Sequence, residues 1–154
     1  LYRVKVSAPA HLQLAKYLPA TSLTLTVAVN HRDEAARVTL ADGFADALRH
    51  PNKAATREFM QEHQKTLQSL LAHANLHAAK QCQGAIDKAS QRMLASQTGE
   101  IKRLLALKAN NPNIRQEEID YLKEQTLALH QCLGKAEAEL VAIHLIIHPT
   151  QETP

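Results

Sequence analysis

The chain has no tryptophan, two phenylalanines and three tyrosines, so aromatic residues make up 3% of its 154 residues. That is too little ring surface for a platform that stacks nucleobases. Its four glycines include no Gly-Lys-Ser or Gly-Lys-Thr string, which excludes a loop that cradles phosphate with backbone amides. Two cysteines cannot staple a disulfide scaffold. No leader of a secretory kind opens the chain, and no apolar run approaches the ~20 residues that a bilayer demands. Positive charge is barely in excess, with 18 Lys and Arg against 15 Asp and Glu for a net +3. So slight a bias does not mark a dedicated nucleic-acid binder. What remains is 45% hydrophobic and 21% charged, the balance of a globular domain. A soluble protein of the reducing cytoplasm, without membrane contact, is expected.

The first 50 residues and the last 100 are built differently. Leu1 is no initiator, and Tyr2-Arg3-Val4-Lys5-Val6 already alternates, so the chain reads as a piece of something longer. Residues 2–6 are expected as a strand. Residues 10–18, with Leu12, Leu14 and Leu18, suggest a short helix stopped by Pro19. Over 22–29, Leu23, Leu25, Val27 and Val29 fall on one face, the pattern of a half-buried strand. A polar turn at 30–34 would let 36–40 return as a hairpin partner.

From Lys53 to Lys108 there is no proline, and good helix formers dominate. Leu67, Leu71, Ala74, Ala78, Cys82, Ala85, Ala89 and Met93 recur in steps of three and four, one stripe of a helix. A helix over 53–108 would be roughly 80 Å long unless Gly84 or Gly99 bends it. Asn110-Asn111-Pro112-Asn113 ends it, and Asn113 with Gln116 can form a capping box for the next helix. That helix, 114–138, carries Ile119, Leu122, Thr126, Leu129, Leu133 and Ala136 at heptad spacing, with Leu140 next in line. Two amphipathic helices on a short connection pack antiparallel. Charge agrees, because residues 61–110 carry net +4 and residues 111–154 net −4. The β-branched run at 140–147 is expected to return as a strand and join the sheet of 22–29. The fold class is therefore α+β: a small, mostly antiparallel sheet with a long helical hairpin. It is organised as 1–50, 51–138 and 139–148, with 149–154 a tail.

Candidate chemistry is thin. His73 and His77 stand four apart, as zinc ligands do, but Ala74 sits where a metalloprotease places its general-base Glu. Cys82 points half a turn away from His73, so a surface or interhelical pair is the plainer reading. His144 and His148 would share a strand face and read as structural. Asp33-Glu34 echoes an acidic ATPase box, yet with no phosphate loop beside it the pair reads as a turn. Lys65, Lys80, Lys88, Arg92, Lys102, Arg103 and Lys108 could form a phosphate stripe. They point in several directions among Glu62, Asp87 and Glu100, which is the pattern of a solvated face. A turn near residue 111 leaves Cys82 and Cys132 about nine residues out of step, about 13 Å along the axis, too far for a bridge. No catalytic, cofactor or metal-binding residue is expected.

Three stretches together resemble a known family. His11-Leu12-Gln13-Leu14-Ala15-Lys16-Tyr17-Leu18-Pro19-Ala20-Thr21 is similar to a segment in the C-terminal domain of the bacterial RNA polymerase-associated RapA family, Swi2/Snf2-type ATPases. Asn111-Pro112-Asn113-Ile114-Arg115, followed by Glu117-Glu118-Ile119, resembles that family's turn between two long helices. Residues 140–147 are similar to its closing apolar strand. The family's Pro and basic residue after Thr21 are replaced here by Ser22, Leu23 and Thr24. The resemblance implies a parent protein that binds core RNA polymerase and DNA, hydrolyses ATP with Mg²⁺, and frees stalled polymerase for recycling. It places the ATPase motifs upstream of Leu1, so none of their residues can be assigned here. An accessory, non-catalytic domain contacting polymerase or the ATPase lobes of its own chain is the expected function. The competing readings are a nucleic-acid module using the basic helix, and a metal enzyme built on His73 and His77.

Overall fold

The structure, a computed structural model, describes residues 1–19, 24–27, 29, 52–111 and 113–146. Alternation at the N-terminus produces what it predicts. Strand β1 (Tyr2–Lys5) buries Tyr2 and Val4 and exposes Arg3 and Lys5. It is the central strand of an antiparallel sheet in the order β2-β1-β3, where β2 is Thr24–Leu25 and β3 is Glu137–Leu140. Tyr2 pairs with Leu25 on one side and with Leu140 on the other.

The returning strand thus begins ahead of 140–147, and it pairs with β1 rather than directly with the 22–29 segment. Charge and alternation explain the shift. Glu137-Ala138-Glu139-Leu140 alternates in step with β1, setting Glu137 opposite Lys5, Ala138 opposite Val4 and Glu139 opposite Arg3. Opposite charges directly across a ladder each contribute roughly 0.2–1 kcal/mol. The run at 141–146 lies outside the ladder and forms no strand. Its start is tied down where the Leu1 amino group donates to the Ala142 carbonyl at 2.8 Å. The hairpin partner expected at 36–40 lies outside the described residues.

The segment read as a helix over 10–18 forms two 3₁₀ turns instead, Ala10–Leu12 and Leu14–Lys16. Gln13 between them takes a left-handed φ of 49°, which no helix continues through. The turns set Leu12, Tyr17 and Leu18 into the core.

Helix α1 (Lys53–Glu62) starts at Asn52, whose Oδ1 accepts from the Ala55 amide at 2.8 Å. Helix α2 (Gln64–Asn110) runs 47 residues, about 70 Å. The interruption falls at His63 and at neither glycine. There the His63 and Phe59 rings meet with centroids 4.3 Å apart. No residue of α1 is buried, and its one half-buried side chain is Phe59. Helix α3 (Gln116–Gly134) returns antiparallel, four residues shorter at its end than the expected 138. The turn differs in detail from a capping box. Asn111 Oδ1 accepts from the Asn113 amide, Arg115 is the N-cap residue without a side-chain bond, and Gln116 joins Lys108 to Asp120.

The stripe on α2 is as read, with Ala78, Cys82, Ala89 and Met93 buried, although Ile86 rather than Ala85 fills the middle step. Cys82, Ile86, Ala89 and Met93 meet Leu129 and Leu133 of α3 and Val4, Leu12, Tyr17 and Leu18 of the N-terminal part. The core therefore sits where the sheet and 3₁₀ turns close the base of the hairpin. Truncating a fully buried side chain there, such as Met93 or Leu129, costs about 2–5 kcal/mol.

Candidate functional site

The sequence places its candidate residues along α2 and the C-terminal stretch, and the structure scatters them. His73 Nδ1 lies 2.9 Å from the Ser69 carbonyl oxygen of its own helix. His73 and His77 are partly buried, and among the described residues no group of three His, Cys, Asp or Glu side chains is placed to hold a metal ion. His144 is exposed on the stretch after β3. Asp33, Glu34 and His148 lie outside the described residues. Cys82 is buried and Cys132 partly so, and both are free thiols. Burial pushes the Cys82 thiol and the Tyr2 phenol up from their ordinary values.

The basic residues divide by whether their charge is engaged. Arg103 Nε donates to Glu100 at 2.8 Å, and this bond holds the Glu100 carboxyl below its ordinary range. Lys108 donates to Gln116. On α3, Lys123 donates to Asp120 at 2.9 Å; with Gln116 it lowers the Asp120 carboxyl. Lys16 lies 5.5 Å from the centre of the Tyr17 ring. Lys88 and Arg92, one turn apart on α2, are exposed and have no carboxylate partner among the described residues.

Those two cations border a groove of about 530 Å³ between α2 and the N-terminal part. Leu18 and Leu25 form one wall, and Gly84 and Ala85 form the helical side below Lys88 and Arg92. Two hydrogen bonds fix this geometry. Tyr2 Oη donates to Asn75 Oδ1 at 2.7 Å, and Gln97 Nε2 donates to Tyr17 Oη at 2.9 Å in the interior. Gln97 is the residue that sequence reading missed. It stands four residues after Met93, so the stripe itself carried the signal, with a polar side chain in an apolar position.

No helix among the described residues is long and apolar enough to cross a membrane. The described surface thus offers a basic-rimmed groove at the base of a helical hairpin, geometry suited to contact. A profile described as the RNA polymerase recycling family C-terminal matches residues 1–148. With nearly the whole chain covered, and with both the Asn-Pro-Asn-Ile-Arg turn and the Leu-Gln-Leu segment inside the match, this chain belongs to that family.

Proposed function

We propose that this domain is a non-catalytic docking module of a polymerase-recycling ATPase, acting in the bacterial cytoplasm on core RNA polymerase. The observation that carries the reading is the family match over residues 1–148. The surface is consistent with it: a hairpin about 70 Å long in its larger helix, rooted in a small sheet, presents broad faces for protein contact. Phosphoryl transfer needs a phosphate-cradling loop, a carboxylate that holds Mg²⁺ and cations that stabilise the transferring group. In this reading the upstream part of the parent supplies all of these, along with ATP, Mg²⁺ and DNA contact. The domain sets how tightly polymerase is held, or how strongly ATPase activity is coupled to it.

Two measurements test the proposal. Calorimetry of the 154-residue chain with Mg-ATP is expected to give no binding, and micromolar affinity refutes the expectation that the chain neither binds nor hydrolyses ATP. Removing residues 1–148 from the parent is expected to change polymerase affinity or polymerase-stimulated ATPase activity while basal hydrolysis persists. Unchanged affinity together with unchanged stimulation overturns the docking role.

A further inference from the structure

We propose that the groove between α2 and the wall formed by Leu25 over Leu18 docks an acidic, partly apolar segment of a partner protein, with carboxylates on Lys88 and Arg92. The inference rests on the docking role above and names the surface and the chemistry that perform it. Lys88 and Arg92 share one face of α2, both exposed, and neither is held by a carboxylate among the described residues. Arg103, Arg115 and Lys123 each have an acidic neighbour three residues away, whereas Lys65, Lys80 and Lys102 are exposed like Lys88 and Arg92 but do not line the groove. Two exposed cations on the rim of one groove, unpaired among the described residues, can each take a carboxylate, and Arg in particular takes one in a two-bond fork.

The helical side of the groove fits close approach. Gly84 lies one turn before Lys88, and a Cβ placed there meets nothing within 4 Å. The internal packing therefore does not require glycine, which is disfavoured in a helix interior. Glycine beside Ala85 leaves room for an incoming chain against the helix backbone. The opposite wall presents the half-buried Leu25 beside the exposed Thr24, with Leu18 buried beneath them. A protein segment can satisfy both walls at once, placing an apolar side chain against Leu25 and a carboxylate against Arg92. A nucleic acid cannot match them as well. Tyr17 is buried with its hydroxyl engaged by Gln97, so no ring face is open for base stacking. Two cations are also few beside the six to ten phosphate contacts of a typical binder.

Photocross-linking in the full-length protein tests the inference. Benzoyl-phenylalanine is placed at Gln81 on the groove rim and, separately, at the exposed Glu124 of α3, with purified core RNA polymerase as probe. Cross-links from position 81 are expected to map to an acidic polymerase segment. Their yield should fall at least about tenfold when Lys88→Gln and Arg92→Gln are combined, the loss of two charge-assisted bonds. Gly84→Leu, which keeps both charges but fills the groove, should do the same, with thermal melting confirming that each variant folds. A cross-link to nucleic acid or to a non-acidic segment, or a yield that ignores these substitutions, overturns the groove. Cross-links from position 124 without any from 81 overturn it while the docking role stands. Polymerase affinity and polymerase-stimulated ATPase activity that both survive removal of the whole domain overturn both.

Discussion

Gln97 shows how one side chain can carry more weight than its polarity suggests. It is 8% exposed, the one buried polar residue among those described, and its amide donates to the equally buried Tyr17 hydroxyl. A buried donor without its acceptor costs about 1–3 kcal/mol, whereas removing both partners together is close to neutral. Tyr17→Phe should therefore lower unfolding stability by that amount. Adding Gln97→Leu should recover most of the loss. Urea unfolding of both variants and of the double variant checks this. If the double variant is as unstable as the sum of the singles, the hydrogen bond is not what ties the 3₁₀ turns to α2.

At the scale of elements, α2 is held by its buried stripe and by the sheet and α3 beneath it, so its exposed positions contribute mainly through propensity. Gly99 is one such position, where a Cβ would meet only open space and the backbone φ needs no glycine. Gly99→Ala should raise stability by about 0.5–1 kcal/mol, since alanine loses less backbone entropy on entering the helix. A thermal or urea midpoint that falls would mean that something approaches the helix there. The strands obey a different rule. β3 is placed by what stands opposite it, Glu137 and Glu139 facing Lys5 and Arg3, and not by its own apolar content. The more apolar residues just beyond it, Val141, Ile143, Leu145 and Ile146, are 46–64% exposed as a result.

At the scale of the whole molecule, one cluster joins sheet, turns and both long helices, and Cys82 lies inside it. Burial raises the folded-state value of this thiol above its ordinary 9.0. The folded state therefore keeps the proton longer than the unfolded chain does. The stabilisation is fully present below pH 9.0 and is lost as pH rises through the raised folded value. Urea midpoints should hold steady from neutral pH to about that point and then decline. Cys82→Ala should flatten the part of the decline due to the thiol, leaving that of Tyr2, whose phenol burial also raises. An unchanged slope would show that the thiol ionises without unfolding the core. Alkylation at neutral pH should likewise modify Cys132 before Cys82, in keeping with their burial.

The hairpin was legible in the residues themselves. Helical periodicity is local, so the steps through Ala78, Cys82, Ala89 and Met93, and those through Ile119, Leu129 and Leu133, name their buried faces without a partner being known. Asn111 and its neighbours likewise mark the turn by their own chemistry. Three features required the folded molecule. Gln13 breaks the 10–18 segment with a positive φ that its sequence does not announce. The limits of β3 depend on β1, since Tyr2 and Leu140 lie 138 positions apart in the chain and find each other only in the sheet. The groove takes its walls from the N-terminal part and from the middle of α2, so neither sequence segment contains it. Periodicity fixes which face of a helix is apolar; only tertiary packing decides which segments meet across that face and what space they leave between them.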